Sequence, residues 1–277
     1  MDNYTKVNSK TWDVWAKNGC CWSIPITHEA YENAKNGNWE VILTPCKPVP
    51  KQWFSPYLKD GFLSGVNLLG LASGGGQQMP VFAALGADCT VLDYSDSQLD
   101  SERMVAQREG YDINIVKADM TKRLPFDDES FDVIFHPVSN CYIEDVYHVW
   151  NECFRILRRG GVLLAGMDNG FNFIVEDVTV RPMVIENKLP YNPLKMPKEQ
   201  YDRMVKNHEG IQFSHTLDEQ LGGQLKAGFL LTDVFEDFNN EPSAIADGIP
   251  AYWASRAVKP YVTGDGMRCV PNKEMKG

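Results

Sequence analysis

From residue 66 onward, short apolar runs alternate with polar, helix-like stretches along the chain. Apolar runs of this length that are bounded by turn residues predict buried strands, and their alternation with helices is typical of a parallel sheet covered on both faces. Seven such runs occur, at 66–72, 87–93, 113–119, 131–137, 162–168, 229–237 and 250–258. We therefore expect an α/β fold with a doubly wound, mostly parallel sheet of seven strands.

Helix signals lie between these runs. Ser95 stands three residues before Gln98, which is the spacing of a capping box at a helix start. Thr216 and Glu219 repeat that spacing, and the pair Gly160–Gly161 is a typical helix stop. The main helices are predicted over 77–85, 95–110, 146–157 and 216–228.

Two regions do not follow the alternation. Residues 1–60 contain five of the seven tryptophans, namely Trp12, Trp15, Trp22, Trp39 and Trp53, and residues 171–215 form a proline-punctuated insert. Packing against the sheet explains both regions, but long inserts of weak periodicity are often functional, and we expect a lid over a pocket. The predicted organisation is an arm over 1–60, a domain over 61–260 that includes the insert, and a tail over 261–277. From Lys259 onward an ordered extension and a frayed end are the alternatives, and we expect the frayed end.

Composition narrows the class of protein. The 277 residues carry 27 Lys and Arg against 37 Asp and Glu, a formal charge of −10, which disfavours a nucleic-acid partner. The chain has no apolar run near the roughly 20 residues that span a bilayer, and its start is polar, so we expect a cytoplasmic protein with no membrane partner. Its seven cysteines show neither CxxC pairs nor zinc spacing, which predicts reduced thiols and no metal site.

The loop after the first strand carries the clearest chemical signal. Gly74, Gly75 and Gly76 allow the backbone to turn tightly and to approach a ligand, with the N–H groups of a helix start behind it. Asp93 ends the next strand, where a carboxylate can accept both hydroxyls of a ribose. Together these residues predict a nucleoside cofactor.

Two cofactor classes fit a glycine loop followed by a strand-end acid: nicotinamide or flavin dinucleotides, and S-adenosylmethionine. The dinucleotide fingerprint requires a third glycine where this chain has Met79. Asp119 ends the third predicted strand, where a carboxylate can accept the amine of an adenine. Both observations favour S-adenosylmethionine.

At these positions the sequence resembles the class I, Rossmann-like methyltransferases of the small-molecule type. The matching residues are Gly74 and Gly76; Asp93; Asp119 with Leu124, Pro125, Phe126, Phe131 and Asp132; and Arg155 with Leu157, Gly160 and Gly161. The resemblance implies the sheet order 3214576 with an antiparallel last strand, and S-adenosyl-L-methionine as methyl donor. It departs from the family at Gly70 and Ala72, where an acidic residue and a glycine are usual.

The resemblance also implies roles for individual residues. Asp93 is expected to hold the ribose hydroxyls and Asp119 the adenine amine. The full set expected to contact the cofactor is Trp15, Ala72, Ser73, Gly74, Gly75, Gly76, Gln77, Gln78, Asp93, Tyr94, Ser95, Asp119, Met120 and His136. Trp15 belongs to the set because WDVWAKNG resembles a helix that closes over the cofactor in this family.

Methyl transfer is an in-line displacement that needs alignment and, for some acceptors, a base, but no metal in principle. His136 follows the fourth predicted strand and is the candidate base, with a role as a contact to substrate or cofactor as the alternative. Asn140, Tyr142, Asp168 and Asn169 are the candidate substrate contacts, with loop hydrogen bonding as the alternative.

We therefore expect methyl transfer from S-adenosylmethionine to a small-molecule acceptor. The tetrad of nucleic-acid and glutamine amino-methyltransferases is absent, since only Pro137 of the segment HPVS matches it. A nicotinamide-dependent oxidoreductase and a noncatalytic protein that binds an adenosyl ligand are the alternatives. The acceptor atom and the oligomeric state stay open.

Overall fold

The computed structural model describes residues 3–175, 182, 184–240, 248–263 and 266–268. Its strands are β1 (Asn67–Leu71), β2 (Asp88–Asp93), β3 (Asn114–Lys117), β4 (Phe131–His136), β5 (Leu157–Asp168), β6 (Leu230–Asp237), β7 (Tyr252–Val258), β8 (Tyr261–Thr263) and β9 (Gly266–Arg268). Its α-helices are α1 (Tyr4–Lys17), α2 (His28–Lys35), α3 (Met79–Ala84), α4 (Asp96–Glu109), α5 (Val146–Ile156), α6 (Lys198–Asn207) and α7 (Leu217–Ala227).

Strands β1 to β7 form one sheet in the order β3-β2-β1-β4-β5-β7-β6. β1 to β5 pair in parallel, and β7 runs antiparallel to both β5 and β6. The strand order 3214576 with an antiparallel last strand is therefore confirmed. β8 and β9 pair separately as a two-stranded sheet, which the sequence analysis did not predict.

The capping signals in the sequence predict the ends of α4 and α7 correctly. The Ser95 side chain accepts a hydrogen bond from Gln98 N at the start of α4, and α4 ends at Gly110 in the left-handed conformation. The capping box between Thr216 and Glu219 is complete at the start of α7. Both helices therefore begin and end within about one residue of their predicted positions.

The predicted start of β5 at Val162 is wrong, because the strand begins at Leu157, directly after α5. Leu157 is fully buried and pairs with Phe131 on β4. Gly160 does not stop the helix; it takes a φ of 78° inside the strand, and its N–H donates to Lys259 O at 2.7 Å. Glycine tolerates this left-handed backbone inside an irregular strand.

The prediction of a frayed tail from Lys259 is also wrong for the residues that the structure describes. Lys259 is 3% exposed, and its ammonium group donates to Leu157 O at 2.8 Å. The β8–β9 pair then follows as an ordered extension. The predicted tail positions 264–265 and 269–277 lie outside the described residues.

The N-terminal region covers two different parts of the fold. Its first helix, α1, packs on α4 near the carboxyl ends of the strands. Its later part supplies Trp39, Val41, Trp53 and Phe54 to the core on one face of the sheet, while α5 and α7 cover the opposite face. Most of the aromatic enrichment of 1–60 beyond α1 is therefore explained by packing.

The insert and α1 pack against each other. Tyr201, Ile211 and Phe213 of the insert form a small apolar cluster with Tyr4 and Val7 of α1. Because α1 also packs on α4 near the carboxyl ends of the strands, the cluster lies above those ends. Among the described residues, no helix is long and apolar enough to cross a membrane.

Candidate functional site

A cavity of about 430 Å³ lies at the carboxyl ends of β1 to β5. Ligand sites of doubly wound sheets occupy this edge, and their volumes range from about 300 to about 1,000 Å³. Twelve predicted site residues line it: Ala72, Ser73, Gly74, Gln77, Gln78, Asp93, Tyr94, Ser95, Asp119, Met120, Tyr142 and Asp168. Gly75, Gly76, Trp15, His136, Asn140 and Asn169 are not among its described lining residues.

The glycine loop is held in place by bonds to the protein itself. Gly74 N donates to Asp93 Oδ2 at 3.0 Å, Gly75 N to Gln98 O at 3.0 Å, and Gly76 N to Glu102 Oε1 at 2.7 Å. These three N–H groups are therefore engaged within the protein. What the glycines provide here is close packing, since a Cβ at Gly74 would lie 2.7 Å from Gln98 Cβ.

Glu102 was missed by the sequence analysis, although a signal for it exists. It lies on the buried face of α4, three residues from both Leu99 and Val105, so it interrupts an apolar stripe with a charged residue type. Its side chain is fully buried beneath Gly76. Burial raises the pKa of Glu102 to about 8, so the carboxyl is mainly protonated at neutral pH.

Asp93 closes the other side of the loop. Its Oδ1 accepts from Tyr94 N at 2.7 Å and from Ser95 N at 2.9 Å, while its Oδ2 accepts from Gly74 N. Burial raises the pKa of Asp93, and the three backbone donors oppose that shift. The carboxylate lines the cavity and retains lone pairs that a ligand can use.

Asp119 follows β3 and is bound from two sides. Its Oδ1 accepts from Thr121 N at 2.9 Å, and the Thr5 hydroxyl of α1 lies 2.7 Å from its Oδ2. Two further bonds fasten α1 over the loop after β2: Ser9 Oγ donates to Tyr94 O at 2.7 Å, and Ser95 Oγ lies 2.6 Å from an oxygen of Asp13. No motif marked these α1 residues in the sequence, because their partners lie more than eighty residues away.

The assignment of His136 as candidate base is corrected. The side chain is fully buried, with its ring nitrogens 2.9 Å from Leu71 O and 2.8 Å from Asn140 Oδ1. Burial also lowers the pKa of His136. Asn140 is fully buried as well and donates to Gln220 at 2.9 Å, so both residues are in the core, away from the cavity.

Two other assignments need the same correction. Asn169 donates from its side chain to Pro250 O at 2.7 Å and does not line the cavity. Trp15 donates to His208 O at 2.9 Å and lies behind Trp12. The two rings pack edge-on, with their centroids 5.1 Å apart. Trp12 is the tryptophan of that pair that lines the cavity, where its ring packs against Tyr142.

The missing family acid at position 70 has a packing cause. A Cβ built on Gly70 would overlap the Met79 sulfur and come within 3.2 Å of Ser73 Cβ. Met79 is fully buried, so a larger side chain at 70 requires the Met79 side chain to move within the core. Ala72, where the family has a glycine, takes a left-handed φ of 49°.

The two glutamines after the loop differ in role. Gln77 donates from its side chain to Cys21 O and Ile24 O, both at 2.9 Å, and so fixes the N-terminal segment to the start of α3. Gln78 is 8% exposed, lines the cavity and lies 3.4 Å from Ser73 Oγ. Gln78 and Ser73 are therefore the side chains best placed for a polar end of a ligand.

Asp168 ends β5 and lines the cavity beyond β4. It is 5% exposed and accepts from Gly170 N and, at 2.6 Å, from Asn172 Nδ2. Burial raises the pKa of Asp168 to about 6. Around it the cavity is formed by Thr44, Pro45, Val138, Asn172, Phe173 and Tyr252. Within the described ranges, no group of three or more His, Cys, Asp or Glu side chains is placed to hold a metal ion.

Comparisons with known proteins identify the family of the chain. A sequence model of the methyltransferase domain matches residues 69–165. The chain is 42% identical over 255 residues to a protein named "Uncharacterized methyltransferase YbaJ" from Bacillus subtilis (strain 168), covering 91% of this chain and 97% of that protein. It is 25% identical over 184 residues to "Methyltransferase phqN" of Penicillium fellutanum, covering 66% of this chain and 49% of that protein.

Solved structures show the same fold at low identity. An S-adenosylmethionine dependent methyltransferase from Mesorhizobium loti aligns with a TM-score of 0.57 at 20% identity, over 74% of this chain and 94% of that one. A putative S-adenosylmethionine dependent methyltransferase from Listeria monocytogenes aligns with a TM-score of 0.54 at 15% identity, over 74% and 95%.

Proposed function

Because the chain belongs to the class I S-adenosylmethionine-dependent methyltransferases, we propose that it transfers a methyl group to a small-molecule acceptor bound in the cavity at the carboxyl ends of its strands. The observation that best supports this proposal is that a single cavity is lined by the loop at 72–78, by Asp93 and Asp119 at the ends of β2 and β3, and by Asp168 at its other end. In-line transfer requires donor and acceptor to lie next to each other, and the two ends of one cavity provide adjacent positions for them.

The residues present fit S-adenosylmethionine. Asp93 has the free lone pairs and the strand-end position to accept the ribose hydroxyls, and Asp119 with Met120 lies where the adenine would be held. Ser73 and Gln78 take the amino-acid end, in place of the acid that packing excludes at Gly70. When bound, the cofactor supplies a methyl group on a positively charged sulfur, which makes that carbon electrophilic.

Closure of the cavity supports a small acceptor. α1 lies over the loops after β2 and β3, and Phe173 and Gln212 of the insert line the same space. The described lining residues include no lysine or arginine, and the whole chain is acidic, so a nucleic-acid acceptor would meet no cationic surface there.

Calorimetric titration with S-adenosylhomocysteine tests the cofactor assignment, with NADH as the control ligand. We expect micromolar binding, about −8 kcal/mol, of the adenosyl ligand and no heat from NADH. Asp93→Asn keeps the side-chain shape and should weaken binding by about tenfold or more, which is about 1.4 kcal/mol. The matched control is Asp96→Asn, because Asp96 is exposed, three residues away, and paired with Lys117.

Binding of NADH, or of neither ligand, would contradict the cofactor assignment. Equal affinity of the Asp93 and Asp96 variants would remove Asp93 from the site while leaving the cofactor in place. Circular dichroism and thermal unfolding of each variant separate loss of the site from loss of the fold.

A further inference from the structure

The cavity has a second end that the cofactor residues do not explain. Asp168 lies on the same face of the sheet as Gly70, since both strands direct alternate residues to that face. Gly70 is level with Phe135 on β4, and Phe135 with Leu164 on β5. Asp168 therefore lies two strands over and four residues farther on, about 13 Å along the strand direction. That offset is too large for Asp168 to replace an acid at position 70.

Asp168 keeps hydrogen-bonding capacity toward the cavity. Each of its oxygens accepts one described donor, Gly170 N at Oδ1 and Asn172 Nδ2 at Oδ2. An ionised carboxylate has about four acceptor positions, so half of them are still available. A 5% exposed side chain cannot satisfy these positions with bulk water once the cavity is filled.

The charge of the cavity restricts what can lie beside Asp168. The described lining residues include three carboxylates, Asp93, Asp119 and Asp168, and no lysine, arginine or histidine. A carboxylate or phosphate on the acceptor would therefore meet like charge and no cationic side chain. Phe173 and Tyr252 border the same end, which suits an apolar or aromatic body.

Three other side chains near this end, Cys141, Tyr142 and His136, are excluded as proton acceptors by their surroundings. Burial raises the pKa of the Cys141 thiol and holds the pKa of the Tyr142 hydroxyl well above its usual value, so both are protonated at neutral pH. His136 is enclosed by Leu71 and Asn140. Asp168, in contrast, faces the cavity and can be ionised near neutral pH.

We propose that Asp168 binds the methyl acceptor through an N–H or O–H group and takes its proton, so that the acceptor is an amine or a hydroxyl compound with an apolar body and no anionic group. This inference rests on the proposed function. In the step, a lone pair of the acceptor nitrogen or oxygen forms the new bond to the methyl carbon. The carbon–sulfur bond breaks with its electron pair left on sulfur, giving S-adenosylhomocysteine, and the acceptor proton passes to the Asp168 carboxylate.

The test uses matched ligand pairs on the full chain saturated with S-adenosylhomocysteine. Phenethylamine is compared with 3-phenylpropionate, and 4-ethylphenol with 4-ethylbenzoate, by calorimetry or ligand-observed NMR. We expect the amine or the phenol to bind about tenfold tighter or more than its carboxylate partner, a difference of about 1.4 kcal/mol. The pair with the larger preference distinguishes a nitrogen from an oxygen nucleophile.

Asp168→Asn should abolish this preference and leave the affinity for S-adenosylhomocysteine unchanged. Asp100→Asn is the matched control, because Asp100 is exposed on α4 and paired with Arg103. The comparison within the wild type needs no variant, so it stands even if Asp168→Asn does not fold.

The outcomes separate the two proposals. Failure of the wild type to bind S-adenosylhomocysteine overturns the proposed function. Normal binding of that ligand with no preference within either pair, including no binding by any member, overturns the role of Asp168 alone. Weakened S-adenosylhomocysteine binding in Asp168→Asn also overturns it, because Asp168 would then serve the cofactor.

Discussion

At position 70, one side chain excludes another. Met79 fills the space that a Cβ on Gly70 would need, and both positions are buried. Gly70→Ala should therefore lower the free energy of unfolding by about 1–3 kcal/mol through overpacking. Urea unfolding measures this loss, and Gly248→Ala is the matched control, since no atom of the described residues lies within 4 Å of a Cβ there.

A double variant checks that Met79 is the cause. Met79→Ala alone should cost about 2–5 kcal/mol, because it leaves a cavity. In Gly70→Ala with Met79→Ala, the new methyl group enters that cavity. The stability lost by the double variant should therefore be smaller than the sum of the losses in the two single variants. Strict additivity would show that the strain of Gly70→Ala arises elsewhere, for instance at Ser73.

Glu102 makes stability depend on pH. Its pKa is raised to about 8 by burial, against 4.5 without the fold, and the nearby charge of Asp93 adds to the shift. Its other described neighbours, Cys89 and Tyr111, are neutral because burial raises the pKa of each. Between these two pKa values the native state binds more protons than the unfolded chain, so stability falls as pH rises, by up to about 1.4 kcal/mol per pH unit.

Glu102→Gln should remove this dependence, because an amide does not ionise. The stability of the variant relative to the wild type should therefore increase from about pH 5 to about pH 8, measured by urea unfolding across that range. Glu29→Gln, on the exposed side of α2, is the control and should give a constant difference. A constant difference for Glu102→Gln as well would mean that the buried carboxyl ionises freely.

Among the elements, α1 contacts the insert through a buried amide as well as through the apolar cluster described above. Asn8 Oδ1 accepts from Ile211 N at 2.7 Å, and its Nδ2 donates to Ile211 O at 2.9 Å and to Tyr142 O at 3.3 Å. Asn8→Ala leaves buried backbone groups without partners, at a cost of about 1–3 kcal/mol. Because α1 and the insert lie outside the sheet, we expect the lost stability to appear as local opening of these two segments and not as unfolding of the sheet.

Hydrogen exchange read by mass spectrometry detects that opening. Peptides from α1 and from 208–215 should exchange faster in Asn8→Ala, while peptides from β4 and β5 keep the protection of the wild type. Asn207→Ala is the control, since its side chain bonds only to Glu209 at the surface in the described part of the chain. Faster exchange in β4 would instead show that α1 is part of the cooperative core.

The element pattern explains which predictions succeeded. Buried strands between capped helices leave a periodic signal in the sequence, and Ser95, Thr216 and Gly228 mark ends by purely local bonds. The start of β5 could not be seen in this way. Gly160 and Gly161 resemble a helix stop, but pairing of Leu157 with Phe131 makes them part of a strand.

At the scale of the whole molecule, some residues of the candidate site are predictable from the sequence and others are not. Asp93, Asp119 and Asp168 line the cavity because strand ends meet at one edge, which the strand pattern alone predicts. Burial of His136 depends on Asn140 and on packing that the sequence does not display. The contacts from α1, such as Thr5 to Asp119, span more than eighty residues and carry no motif.

The negative charge of the whole chain and the carboxylates of the cavity both favour binding of a positively charged methyl donor. The chain carries −10, the described lining includes three carboxylates and no cationic side chain, and S-adenosylmethionine has one more positive charge than S-adenosylhomocysteine. We therefore expect the donor to bind more tightly than the product at low salt, and its advantage to shrink several-fold as salt rises. The Debye length falls from about 30 Å at about 0.01 M salt to about 3 Å at about 1 M. At high salt, therefore, only charges within the cavity still attract the ligand.

Calorimetric titration of both ligands across that range measures the effect, and parallel salt dependence of the two would contradict it. If the difference is found, loss of charge on methyl transfer weakens product binding and so favours release after each turnover.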